Sequence, residues 1–111
     1  MSATESLARL AQLAGMVRDL RLVELERAGQ ARAESRMRLA GLTLDPFASD
    51  LGAVATAQAE VRYQSWAEVR RAEINLTLAR QTAEWLEAQA AARHAFGRAE
   101  VLRRLAARAK R

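Results

Sequence analysis

Alternate steps of four and three residues from Ile74 pick out Leu78, Gln81, Trp85, Ala88, Ala92, Ala95, Ala99, Leu102, Ala106 and Ala109. An unbroken seam with a mean spacing of about 3.5 residues marks a helix that packs along another helix. Only Gln81 in it is polar, and Gly97 lies off it. Two properties change along this stretch. The seam goes from large residues to mostly alanine after Trp85, and the charge turns basic. From Ala88 to Arg111 the bases are Arg93, Arg98, Arg103, Arg104, Arg108, Lys110 and Arg111, against Glu100 alone. Residues 1–87 hold 11 bases and 12 acids, so the net charge of +5 sits in the C-terminal segment.

With 111 residues the chain makes one domain at most. Half of it is nominally hydrophobic, but alanine dominates that half, and the aromatics are Phe47, Tyr63, Trp66, Trp85 and Phe96. Such a chain fills the thin seam between two close helices better than a thick globular core. Cysteine is absent, which excludes disulfides and thiolate metal sites. No apolar run approaches the ~18–20 residues that span a bilayer. The opening residues lack a basic segment followed by an apolar block. The expectation is a cytoplasmic protein without a signal peptide.

In chain order, Ser2-Ala3-Thr4-Glu5 has the spacing of a capping box. A helical pattern follows through Leu7, Leu10, Leu13, Met16/Val17, Leu20 and Val23, and predicts a first helix over about 4–40. Gly41 offers a left-handed stop, and Asp45-Pro46 a capped restart. Residues 41–50 read as the tip of a hairpin, with a second helix over about 51–109. The second helix's early apolar face, through Val54, Val61, Tyr63/Trp66 and Val69, does not hold the later register, so a phase slip is expected between Trp66 and Ile74.

The short connection makes the helices antiparallel. Pairing outward from the tip gives opposed residue numbers that add to about 86 or about 92. The second register sets Tyr63 and Trp66 against Ala28 and Gly29, and either brings Trp85 to the base, near Leu7 and Leu10. In both, the basic segment 88–111 overhangs the first helix without an intrachain partner. The fold class is therefore all-α: a two-helix antiparallel coiled-coil hairpin with a longer C-terminal helix.

Enzymatic readings find little support. His94 is the only histidine; Glu100, six residues on, lies far round the helix and Glu87, seven residues back, is two turns away, so neither is placed to share a metal with it. Glu24, Glu26, Glu84 and Glu87 read as solvated faces with helical ion pairs such as Glu84 with Arg80. The five glycines are dispersed, so no phosphate loop exists. No catalytic residue, metal or cofactor is assigned. The overhang instead reads as a binding face, with Arg93, Phe96, Arg98, Val101, Leu102, Arg103, Arg104, Leu105 and Arg108 as the candidates. Nucleic acid is a weaker target, because interleaved stacking aromatics are missing. A membrane surface is also weaker, because alanine inserts poorly. A dimeric scaffold is a further reading, since two helices alone bury modest area.

The opening SLARLAQLAGMVRDLRLVELERA (6–28) and the run RYQSWAEVRRAEINLTLARQTAEWLEAQAAARHAFGRAEVLRRLAARAKR (62–111) resemble the FliJ/YscO group of flagellar and type III secretion export proteins. The resemblance implies a two-helix antiparallel rod similar to the central stalk of rotary ATPases. It further implies that the terminal end enters the pore of the hexameric export ATPase and promotes ring assembly. Contacts with the export gate and export chaperones, and peripheral association with a membrane export apparatus, belong to the same expectation. The chain is shorter than usual members, and its helices are unequal.

Overall fold

A computed structural model describes residues 2–42 and 52–111 of the chain. Two helices form an all-α hairpin: α1, Ala3–Gly41, and α2, Ala53–Ala109. The Asp45-Pro46 restart lies outside the described residues. At the start of α1 the backbone N–H of Glu5 donates to Ser2 Oγ at 3.2 Å, so Ser2 caps the helix and satisfies one of its orphan donors. Gly41 does not supply the left-handed stop. No described glycine has positive φ, and α1 closes instead with the N–H of Leu42 on the carbonyl of Leu39 at 3.2 Å. A tightened last turn of this kind meets the same need without a special conformation.

The contacts divide the chain into two units, Met1–Gln30 with Ala83–Arg111, and Ala31–Thr82. In the first unit Gly29 faces Trp85, and Arg18 lies over Phe96. In the second, Arg32 reaches Thr82, and Ser35 reaches Gln81. Opposed residue numbers therefore add to 114–116, not to 86 or 92. This corrects three expectations. The segment 88–111 is not an unpartnered overhang, because it forms one unit with residues 1–30, with Arg18 over Phe96 and Ala92, Ala95 and Ala99 buried. Trp85 fills the notch at Gly29 and does not close the base near Leu7. Tyr63 and Trp66 pack on each other, with centroids 5.7 Å apart and ring planes tilted by 41°, and Gly29 faces Trp85 instead. The physical reason is size matching: the largest seam side chain sits where the facing helix has no side chain at all.

The seam of α2 is buried or half-buried from Ile74 to Ala106, with Ala109 exposed. It also continues backward in one phase through Arg71, Ala67 and Tyr63. The expected slip is absent: Ala67 is fully buried, whereas Val61, Trp66 and Val69 are exposed. On α1 the inward residues recur at Leu7, Ala11, Ala14, Arg18, Leu22, Leu25 and Gly29. The stripe of Leu10, Leu13, Met16, Val17, Leu20 and Val23 faces outward. The buried apolar core among the described residues is Ala67, Ile74, Ala92, Ala95 and Ala99.

The second unit carries a polar layer in its seam. Ser35, buried, donates its hydroxyl to Gln81 Oε1 at 2.5 Å. Arg32 Nε donates to Thr82 Oγ1 at 3.1 Å, and that hydroxyl donates to the Leu78 carbonyl at 2.8 Å. A buried polar pair in an apolar seam costs stability in a slipped register, where each member loses its partner, so it specifies this one.

Candidate partner-binding site

The nine candidate residues lie on a paired helix and divide into separate places. Residues two apart on a helix lie about 200° apart around it. His94 and Arg98 therefore stand on one side of the seam, and Phe96 on the other. Phe96 is 47% exposed, and the Arg18 guanidinium carbon lies 5.8 Å from its ring centroid, within cation–π range.

On the first side, Arg98 and Leu102 line the groove shared with Leu10, Leu13, Ala14, Val17 and Arg21 of α1. Arg93, Arg98, Val101 and Leu102 line an adjoining depression around Gly97. Leu105 is 40% exposed, and Arg108 lies in the last turn of α2, where a cation meets the negative end of the helix dipole. The structure thus brings Arg93, Arg98, Val101 and Leu102 together and leaves Phe96 apart from them.

Arg103 and Arg104 form a third group. Both bind Glu100: Arg103 Nη2 at 2.8 Å and Arg104 Nε at 2.9 Å from Oε1, with Arg103 Nε 3.1 Å from Oε2. The Arg103 hydrogen bonds, then those of Arg104, lower the Glu100 carboxyl from its ordinary 4.5 to about 2. Arg103 is raised in turn by Glu100. The single acid of the basic segment is therefore occupied locally, and Arg98 and Arg108 make no ion pair among the described residues. The expected pair of Glu84 with Arg80 does not form. The helical pairs that do form are Arg21–Glu24, Arg70–Glu73, Arg71–Glu68 and the two on Glu100.

The sequence reading missed Leu10, Leu13, Val17 and Leu20 as surface residues, having placed them in the hairpin seam. The signal that separates the two stripes is in α2. An alanine-rich seam favours small residues opposite at its closest contacts, and the stripe of α1 that holds Ala11, Ala14 and Gly29 supplies them.

Among the described residues no three His, Cys, Asp or Glu side chains gather as a metal site, and no helix is long and apolar enough to cross a membrane. Every buried side-chain polar atom described has a partner. Fold and site together define a helical hairpin that offers side-chain surface along its helices. No protein-family model, curated protein or solved structure matches the chain.

Proposed function

We propose that this chain is a non-enzymatic stalk of a flagellar or type III protein-export apparatus. Its terminal unit enters the ring of the hexameric export ATPase and promotes assembly and activity. The observation that supports this reading is the make-up of that unit. Its two chain segments run side by side on alanines, with Ala92, Ala95 and Ala99 buried between them, which keeps the pair thin. Its last residues carry Arg98, Arg103, Arg104, Arg108, Lys110 and Arg111 against Glu100. A thin, basic, two-helix end suits a narrow opening in an acidic protein ring, where charge complementarity speeds and orients docking. The resemblance to the FliJ/YscO group makes the export ATPase the ring, and contacts with the export gate and chaperones belong to the same reading.

Because 88–111 pairs with α1, removing that segment would strip α1 of its partner, and charge reversal is the cleaner perturbation. Arg104 and Arg108 are exposed, and Arg104→Glu with Arg108→Glu leaves the seam intact. The double variant, which also breaks the Arg104–Glu100 ion pair, is expected to lose most of its stimulation of a cognate export ATPase while circular dichroism shows no more than fraying of the last turns of α2. Stimulation equal to the parent chain refutes the stalk reading. Tight, salt-sensitive binding of duplex DNA by the parent chain would move the assignment to nucleic acid.

A further inference from the structure

The first unit leaves one flank of its helix pair uncovered. Between the helices runs a groove of about 330 Å³ with an alanine floor, Ala91 and Ala95. Leu10, Leu13 and Val17 stand along its edge, 49%, 51% and 46% exposed. Single exposed leucines are ordinary on protein surfaces. Three large apolar residues at i, i+3 and i+7 beside an apolar channel form an amphipathic face whose partner is not α2.

The charge of the rim selects the occupant. Arg21, His94 and Arg98 line the groove, and no acid does. Arg21 is held by Glu24 at 3.0 Å, whereas Arg98 is not ion-paired among the described residues. A second copy of this face would bring another unpaired Arg98 and no acid to meet it, which disfavours self-association. A flat lipid surface would touch the leucine edge and leave the alanine channel unfilled. A rod with apolar residues every three or four positions fills the channel, and acids beside that stripe meet Arg98. We propose that this groove binds an amphipathic helix of a partner protein whose apolar stripe is flanked by glutamate or aspartate. The site lies along the flank of the unit and does not depend on the export reading.

The test uses the full chain and two designed three-heptad peptides. They share one leucine–alanine stripe and differ only in flanking residues, glutamate in one and lysine in the other. Binding is read by fluorescence anisotropy at low salt. The glutamate peptide is expected to bind roughly tenfold or more tightly than the lysine peptide. Arg98→Glu should erase or invert that preference, and Leu13→Ser should weaken the glutamate peptide. Both sites are exposed, and circular dichroism checks that each variant keeps the helix content of the parent. Equal binding of the two peptides, or failure of the glutamate peptide to bind, overturns the proposal. A concentration-dependent dimer in sedimentation that Leu13→Ser dissolves also overturns it in favour of a second copy. Binding to anionic phospholipid vesicles that the glutamate peptide does not displace overturns it in favour of a membrane.

Discussion

Replacing Gly29 with alanine tests the register of the hairpin directly. Gly29 lies in the interior of α1, where glycine costs about 1 kcal/mol relative to alanine. A Cβ built there meets Trp85 Nε1 at 3.5 Å and Cδ1 at 3.6 Å, ordinary van der Waals separations. Each such contact adds about 0.1–0.2 kcal/mol of dispersion, so packing does not offset the helical gain. Gly29→Ala is therefore expected to stabilise the chain by about 1 kcal/mol, a rise in melting temperature on the order of 4–6 °C. Gly97→Ala is the reference, because its Cβ meets nothing within 4 Å and reports helix propensity alone. Gly29→Leu should do the opposite, since a branched side chain must displace the indole, at a cost of about 1–3 kcal/mol. Thermal unfolding followed by far-ultraviolet circular dichroism gives the stabilities. In a Trp66→Phe background, fluorescence isolates Trp85 and should shift with each Gly29 variant. If Gly29→Leu matched Gly97→Ala in stability and left Trp85 emission unmoved, the opposition of Gly29 and Trp85 would be refuted, and the hairpin register with it.

Ser35→Ala should cost about 1 kcal/mol, and Gln81→Leu somewhat more because it leaves the buried Ser35 hydroxyl unpaired. The double variant should recover part of the loss, and a double-mutant cycle with coupling near zero would show that the two do not act as a pair. Glu100 should titrate in the folded chain near pH 2, against 4.5 when its arginines are absent. Because the folded value is the lower one, the stabilisation of the last turns is present above about pH 4.5 and lost as the pH falls through 2. Carboxyl carbon chemical shifts check this, and a midpoint near 4.5 in the parent, unchanged by Arg103→Ala, would contradict the double arginine clasp.

The fold class was legible because helical periodicity is a local property of a long, uninterrupted pattern, and the seam from Ile74 to Ala106 needed only one helix to read. The register was not legible, because it is a property of two helices at once. Counting outward from Gly41 and Pro46 assumes that the pairing is centred on the connection. In the structure it is centred at about residue 57, where numbers adding to 114 meet, and not at 43 or 46, so α2 outruns α1 at its N-terminal end. Two local features set that offset: the notch at Gly29 that receives Trp85, and the hydrogen bond that joins Ser35 to Gln81. Each was visible as an anomaly, a glycine in mid-helix and a glutamine in an apolar seam, and each gains meaning only against its partner. The same coupling misled the reading of α1. Leucine at Leu10, Leu13 and Leu20 is the stronger hydrophobic signal, and an isolated helix would be expected to bury it. Against an alanine-rich seam the face of α1 that turns inward mixes small residues, Ala11, Ala14 and Gly29, with Leu7, Leu22 and Leu25, and the stripe through Leu10, Leu13 and Leu20 stays exposed. The leucines are then left for another occupant. The exposed stripe through Leu10, Leu13 and Leu20 is thus distinct from the inward leucines, Leu7, Leu22 and Leu25, that help hold the hairpin together.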